Sequence, residues 1–256
     1  MQEHDNVPPS TGSAQGEKEK NGWLGTHRRV LVIGLLLFLN IALRLIVAWR
    51  PLEYIDGLVI PDDAYISLHL SRNIAAGLGP SYAGEYTNGF QPLYVFLMVP
   101  VFAALQHDLI TPIRISLTLS CLVDTLTLWF VLRLLRAWTS SLIAAGVLAS
   151  VWIFSPYVIV TTVNGLETAI VSCIVVWAWC LYAKYSRPSE TEHRLGRWFI
   201  LGLILGLAIC ARIDATFFLL AVALTQFIVE RKELRRTTKE VPTSATTPMP
   251  RTAASS

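Results

Sequence analysis

Two neighbouring carboxylates mark the part of this 256-residue chain where chemistry is easiest to place. Asp62 and Asp63 follow Pro61 directly, in a polar stretch between long apolar runs. One carboxylate of such a pair can take a proton from an attacking hydroxyl as a general base. The pair can also hold a divalent cation beside a phosphate. The structural alternative is that one of them caps a helix.

The residues that follow this pair predict an amphipathic helix that stops at Gly77. Ile66, Leu70 and Ile74 recur every four residues, so we expect them to lie on the bilayer surface. The opposite stripe is polar and consists of Asp62, Tyr65, His69 and Arg72. His69 and Arg72 can meet a phosphate oxygen, although a merely solvated helix face would show the same pattern.

Further charged residues lie inside or beside the apolar runs. Asp124 sits within one of them, and an ionisable residue in a membrane helix is a functional hypothesis by default. A structural ion pair with Arg212 is the alternative. Arg44 is expected to snorkel towards the outer end of its helix. Glu167 comes shortly after Asn164 at a helix start, where the helix dipole alone would favour a carboxylate.

Membrane-spanning helices must position these residues. Hydrophobic residues make up 53% of the chain and charged residues 15%, against about 25% charged in soluble domains. The apolar runs are Val30–Trp49, Pro92–Leu105, Ile113–Leu132, Leu142–Val160, Leu166–Ala183, Trp198–Ala211 and Ala215–Val229. We therefore predict an all-α, polytopic transmembrane bundle of six to seven segments. The net charge of +3 is too small to indicate nucleic acid as a partner.

The basic residues orient this bundle. Lys and Arg cluster before the first run and after the last one, so both ends are expected inside. Two inside ends require an even number of crossings. Pro92–Leu105, which is short and contains Pro92 and Pro100, is therefore predicted to be re-entrant. Residues 50–91 then form the first extracytoplasmic loop, and the turns at 164–167 and 212–214 lie on the same side.

One membrane domain is expected between two polar tails. Residues 1–28 are predicted to be a disordered cytoplasmic tail, and residues 231–256 a second disordered tail. Residues 29–230 would form the transmembrane domain. The four cysteines lack metal-binding spacing, so no metal site is expected apart from a divalent cation at Asp62 and Asp63.

Four ordered elements resemble GT-C superfamily glycosyltransferases. They are Asp62–Ser67 with Arg72–Gly79 behind it, Thr87–Tyr94, Asn164–Ala169 and Ala211–Asp214. The second is similar to an Asn-Gly-Phe-His/Gln-Pro-Leu-aromatic element, and the third to an Asn-Gly-Leu-Glu-Thr-Ala element. Relatives of this kind include protein mannosyltransferases, aminoarabinose transferases and arabinosyltransferases. The likeness runs from Leu31 to Val229.

The resemblance implies that a sugar moves from a polyprenyl-phosphate donor to an extracytoplasmic acceptor, which can be a glycan, a lipid or a protein. It implies Asp62 or Asp63 as the general base and Glu167 as a second acidic site residue. Arg72 or Arg212 would face the donor phosphate. The other substrate contacts that it implies are Tyr65, His69, Asn88, Gln91, Asn164 and Asp214. The protein would be a multi-pass protein of the inner (plasma) membrane.

Two other kinds of function remain open at this point. One is a non-catalytic membrane subunit, and the other is a lipid-binding, transporter-like protein that uses its intramembrane charges as a pathway. Inverted internal repeats would favour a transporter, and the sequence has no recognisable ones. Superfamily members usually carry several more helices, so the chain is expected to correspond to the N-terminal part of such an enzyme.

Overall fold

The computed structural model of the chain describes residues 11–105, 107–139, 141–186 and 194–240. These residues are mostly helical, with one short hairpin. The helices are α1 Thr11–Ala48, α2 Leu52–Ile55, α3 Asp62–Ala75, α4 Pro92–Ala104, α5 Thr111–Trp138, α6 Leu142–Phe154, α7 Pro156–Thr162, α8 Thr168–Tyr185, α9 Arg194–Ala211 and α10 Ala215–Glu240. The strands β1 Ser81–Tyr82 and β2 Glu85–Tyr86 pair antiparallel.

The chain divides into two compact units. The first comprises Met1–Ile213 and contains α1 to α9 with the hairpin. The second comprises Asp214–Ser256 and contains α10. Within α10, the guanidinium of Arg231 lies 4.6 Å from the ring centroid of Phe227.

In the part of the chain that the structure describes, three helical segments are long and apolar enough to cross a membrane: His27–Ala48 of α1, α5 and α8. A fourth crossing results if α6 and α7 count together as one bent span. The helix α4 and residues Leu195–Ala211 of α9 are apolar but shorter. A helical membrane protein is therefore confirmed, whereas the six crossings and the re-entrant course of Pro92–Leu105 stay predictions.

Helix extends into both tails where the structure describes them, and the disorder of residues 1–28 and 231–256 stays a prediction. The first helix begins at Thr11, so residues 11–28 are helical. At the other end α10 continues through residues 231–240. The remaining tail residues, 1–10 and 241–256, lie outside the described ranges.

The apolar run Leu142–Val160 forms a bent pair of helices, α6 and α7. Pro156 is the first residue of α7, and Ser155 caps that helix by accepting a hydrogen bond from the N–H of Val158 at 3.4 Å. Proline has no N–H to donate to the carbonyl four residues earlier. The carbonyl of Trp152 thereby loses its helical partner, and the chain bends by 60°.

The helix α3 packs on α4 rather than on lipid. Leu70 is only 1% exposed, and the hydroxyl of Ser71 donates to the carbonyl of Val95 in α4 at 3.0 Å. The expectation that Ile66, Leu70 and Ile74 all face the bilayer is therefore wrong for Leu70, because α4 covers that part of the helix. This packing fixes α3 and leaves its polar stripe uncovered.

An apolar cluster anchors the other side of α3. It joins the end of α1, the loop before α3, α5 and the residues that follow α7. Its fully buried members include Ala48, Ile60, Ala64, Leu117 and Val163. The start of α3, with Asp62 and Asp63, is thus held against α1, α5 and the residue after α7, and the position of the two carboxylates depends on that packing.

Candidate functional site

The turn of residues 164–167 is shaped by a side chain within it. Asn164 is buried, and its Oδ1 accepts hydrogen bonds from the N–H of Leu166 and the hydroxyl of Thr168, both at 3.0 Å. The first of these bonds closes a turn from Asn164 to Leu166, and the second ties Asn164 to the first residue of α8. The predicted site residue Asn164 therefore has a structural task that holds Glu167 in place.

Gly165 lets this turn approach α3. Its φ is +70°, in the region that favours glycine. A Cβ built on Gly165 would lie 3.3 Å from the Cβ of Ala64 and 3.6 Å from Leu117 of α5. The 164–167 turn therefore lies directly against the first turn of α3, which begins with Asp62 and Asp63.

Tyr94 connects a second motif to the same turn. Its hydroxyl donates to the carbonyl of Gly165 at 2.6 Å and lies 2.9 Å from the hydroxyl oxygen of Ser116. Tyr94 is 1% exposed, so these bonds are made inside the protein. Tyr94 was not among the candidate residues, although it ends the Thr87–Tyr94 motif. An aromatic with a polar tip at that position was the signal that could have found it.

Glu167 pairs with Arg212. The residue is 5% exposed, and its Oε1 lies 3.7 Å from Nη1 of the arginine. Glu167 occupies the N-cap position of α8 but makes no side-chain capping hydrogen bond. Arg212 follows α9 directly, and its N–H donates to the carbonyl of Ala208 at 2.8 Å. The ends of α8 and α9 are thus joined by one ion pair, with the arginine half-exposed.

Asp62 and Asp63 are exposed and are the first two residues of α3. The N-cap position belongs to Pro61 and has no side-chain cap, so the alternative that one aspartate is the N-cap residue is wrong. Negative charge in the first turn is favoured by the helix dipole. Both carboxylates are accessible and lie one turn from the contact between Ala64 and Gly165.

Three of the four residues in the polar stripe of α3 line a cavity. Tyr65, His69 and Arg72 line about 220 Å³ of space together with Phe102 of α4 and Ile113 of α5. His69 also contacts the hairpin, since its ring meets that of Tyr82 edge-on at 5.6 Å. A cavity with one polar and one apolar wall suits a polar group carried on an apolar chain.

Tyr65 is held by a carboxylate that the sequence reasoning missed. Its hydroxyl donates to Oδ1 of Asp56 at 2.8 Å. Burial, and then the hydrogen bond and the charge of Asp56, raise the pKa of Tyr65 to about 12, with a smaller contribution from Asp62. Tyr65 is therefore a neutral hydrogen-bond donor at ordinary pH. The Asp56-Gly57 turn shortly before Asp62 was the available signal.

The remaining predicted site residues are Asn88, Gln91 and Asp214. Asn88 is exposed in the loop after the hairpin. Gln91 is the N-cap residue of α4, and its carbonyl accepts from the N–H of Val95. Asp214 is the exposed first residue of the second unit, and its carbonyl accepts from the N–H of Phe217.

Arg44 does not snorkel, and Asp124 does not pair with Arg212. Arg44 is fully buried, and its Nε lies 2.5 Å from Oδ2 of Asp124. Its two terminal nitrogens donate to the carbonyls of Trp152 and Ile153, each at 3.3 Å. The expectation failed because the bend at Pro156 frees these carbonyls inside the protein and Arg44 satisfies them there.

Among the described residues, no three His, Cys, Asp or Glu side chains are arranged to hold a metal ion. Asp62 and Asp63 provide two exposed carboxylates. A divalent cation at this pair would need its remaining ligands from water or from a bound phosphate. It stays a prediction.

These features define a helical membrane protein in which the turn before α8 packs on the first turn of α3 and Glu167 pairs with Arg212. Residues 91–247 match the family model described as dolichyl-phosphate-mannose-protein mannosyltransferase, which is more than half of the chain. The chain belongs to this family and to the GT-C superfamily of membrane glycosyltransferases. The match includes Glu167 and Arg212 and begins after Asp62 and Asp63. Neither the curated proteins nor the solved structures contain a match.

Proposed function

We propose that the chain transfers a hexose or pentose from a polyprenyl-phosphate donor to an acceptor on the extracytoplasmic side of the plasma (inner) membrane. The observation that supports this most is the contact between Gly165 and Ala64, which sets the Glu167 turn beside Asp62 and Asp63. The family description names a dolichyl-phosphate sugar, and a lipid-linked donor fits a cavity with one apolar wall. The transferring unit in this proposal is residues 29–230, with residues 50–91 outside.

In this proposal the acceptor hydroxyl attacks the anomeric carbon while Asp62 or Asp63 takes its proton. The bond between that carbon and the phosphate oxygen breaks, and the lipid phosphate leaves with the electron pair. Attack from the side opposite the phosphate inverts the anomeric centre. Phosphate leaves without being protonated, so the transition state needs positive charge near its oxygens rather than a general acid.

Two arginines can supply the positive charge that the leaving phosphate needs. Arg72 lines the cavity of about 220 Å³ with His69 and Tyr65. Arg72 and His69 can donate to phosphate oxygens, whereas the hydroxyl of Tyr65 already donates to Asp56. The apolar wall at Phe102 and Ile113 would contact the first isoprenyl units. Arg212 keeps part of its guanidinium exposed beside Glu167. Asn88, Gln91, Asn164 and Asp214 remain proposed substrate contacts, and Asn164 can offer only its amide N–H groups because its oxygen shapes the turn.

The intramembrane charges favour an enzyme over a transporter. A transport pathway needs ionisable groups that face a water-filled route. Arg44 and Asp124 are instead 0% and 3% exposed, and they bind each other and fixed backbone carbonyls. A non-catalytic subunit that binds a partner is the other candidate, and activity measurements separate it from the transferase.

The test uses the purified full chain in vesicles with polyprenyl-phosphate mannose, and it measures sugar transfer and donor binding separately. Substitution Asp62→Asn or Asp63→Asn, whichever removes the base, should lower kcat about 10²- to 10⁴-fold with donor affinity nearly unchanged. Arg72→Ala should weaken donor binding. Glu53→Gln is the matched control, because Glu53 is an exposed carboxylate on the same loop.

Three results would contradict the proposal. The first is a wild-type protein that binds the donor and transfers nothing to any acceptor class, whether glycan, lipid or protein. The second is full turnover in Asp62→Asn, Asp63→Asn and Glu167→Gln alike. The third is an equal loss in Glu53→Gln. Any of these would favour a non-catalytic subunit.

A further inference from the structure

The end of the bundle far from the acidic turn is basic. In α5, Leu117 lies beside Gly165 in the first half of the helix, and Arg133 and Arg136 lie near its C-terminal end. Lys184 lies in the last turn of the neighbouring helix α8. In the sequence, residues 27–33, 129–146 and 180–186 contain no Asp or Glu. Within these three stretches the charged side chains are therefore all cationic.

Aromatic side chains lie near these basic residues, at the same ends of the helices. The rings of Phe130 and Trp177 are stacked, with centroids 6.2 Å apart and 15° between their planes. The ring of Tyr182 lies 5.8 Å from Trp179 and 6.1 Å from Trp198. Trp and Tyr concentrate at the headgroup level of a bilayer. The basic residues at these helix ends therefore lie where lipid headgroups would be.

A cavity opens between α5 and α8 at this level. It encloses about 280 Å³, and Arg133 and Lys184 line it together with Cys180 and the stacked Phe130 and Trp177. The guanidinium of Arg133 lies 4.8 Å from the ring centroid of Trp129, and this contact leaves its N–H groups able to donate sideways. Of the described residues that line the cavity, none is acidic.

We propose that this cavity binds the headgroup of an anionic glycerophospholipid. The phosphate would lie between Arg133 and Lys184, and the acyl chains would run along Phe130, Trp177 and Leu181. Two cations complement the phosphate charge, and the aromatic wall complements the chains. Basic pockets between transmembrane helices on the cytoplasmic side are suited to such headgroups. The site is separate from the proposed sugar transfer, because Asp62, Glu167 and the cavity at Arg72 lie at the other end of α5.

The first experiment compares phosphatidylglycerol with phosphatidylcholine on the detergent-purified full chain, using native mass spectrometry. Phosphatidylglycerol should bind preferentially, and Arg133→Gln or Lys184→Gln should each weaken that binding roughly fivefold, the effect of one cation at an anionic surface. Arg136→Gln is the matched control, because Arg136 is exposed one turn from Arg133 on the same helix and does not line the cavity. It should change binding less than twofold.

The second experiment needs no substitution. Cys180 lines the cavity, whereas Cys210 is exposed on α9. Phosphatidylglycerol should slow the reaction of Cys180 with a maleimide, measured by peptide mass spectrometry, and leave the rate at Cys210 unchanged. The proposal is overturned if phosphatidylcholine protects Cys180 equally, if neither lipid does, or if Arg136→Gln weakens binding as much as Arg133→Gln.

Discussion

The side chains of Arg44 and Asp124 meet at 2.5 Å in the interior of the first unit, and this pair connects three helices. Arg44 belongs to α1 and Asp124 to α5. The same guanidinium donates to the carbonyls of Trp152 and Ile153, at the end of α6. Since α7 follows that break and leads into the 164–167 turn, the pair helps to set the direction from which Glu167 reaches the site.

Removing the arginine should destabilise the protein strongly. Arg44→Met leaves Asp124 charged and buried and leaves two carbonyls without donors, so we expect a loss of about 3–5 kcal/mol in the free energy of unfolding. Arg44→Lys should lose less, because one ammonium can still meet Asp124. The measurement is reversible unfolding in mixed micelles, followed by tryptophan fluorescence.

A double variant separates the two contributions of Arg44. In Arg44→Met/Asp124→Leu no charge is left unpaired, so much of the stability should return. Recovery should be incomplete, because the carbonyls of Trp152 and Ile153 still lack their donor. A fully stable Arg44→Met protein would show that the pair does not hold the bend.

The 164–167 turn can pack closely on α3 because Gly165 has no side chain. Gly165→Ala puts a Cβ 3.3 Å from that of Ala64, at a φ of +70°. We expect a loss of about 1–3 kcal/mol in stability from the strained backbone, with lowered transfer activity. Gly146→Ala in α6 is the control, since its Cβ would meet only Leu36 at 3.9 Å. It should be neutral or slightly stabilising, and equal effects in both variants would refute this account.

Removing the hydroxyl of Tyr94 should destabilise the 164–167 turn even though the aromatic ring stays in place. Tyr94→Phe keeps the packing but leaves the buried carbonyl of Gly165 without a donor, which costs about 1–3 kcal/mol. Hydrogen exchange at residues 164–168 should quicken, as measured by mass spectrometry. Tyr82→Phe, in the exposed hairpin, should leave that exchange unchanged. Unaltered protection in Tyr94→Phe would mean that this bond does not hold the turn.

The phenol of Tyr65 should lose its proton only at a higher pH than an ordinary tyrosine. Its pKa is raised to about 12 from the usual 10.0, by burial first and then by Asp56. The folded state therefore favours the protonated phenol. The stabilisation is fully present below the usual pKa of about 10 and is lost as the pH rises through about 12.

The titration can be followed by NMR of tyrosine labelled with ¹³C at Cζ, with Tyr65→Phe to assign the resonance. Asp56→Asn should lower the pKa of Tyr65 without returning it to its usual value, because burial remains. A Tyr65 resonance that titrates near pH 10 in the wild type would contradict the hydrogen bond to Asp56.

Much of the architecture was predictable because lipid imposes a strong length rule on helices. The apolar runs located α4, α8 and α9 within a few residues, whereas α1 begins well before its run and α5 and α10 end well after theirs. The helix after Pro61 and its polar stripe also followed from spacing, since residues three and four apart share a helix face. The bend at Pro156 was overlooked, although a proline inside an apolar run is a visible signal.

The contacts between distant residues could not be predicted in the same way. Arg44 was expected at the membrane edge and Asp124 beside Arg212, because side-chain rules describe one helix at a time. Which buried cation meets which buried carboxylate depends on how the helices pack. Here the packing placed Arg44 against Asp124 and against the two carbonyls freed by Pro156.

The amino-acid sequence by itself determined the class of protein, the positions of most helices and the motifs that carry Asp62, Glu167 and Arg212. Hydropathy and local spacing are properties of short segments and can be read along the chain. Only the tertiary structure decided that Glu167 pairs with Arg212, that Tyr94 binds the carbonyl of Gly165 and that α3 is covered by α4. These outcomes depend on a few ångströms of approach between segments far apart in sequence, and packing alone sets such distances.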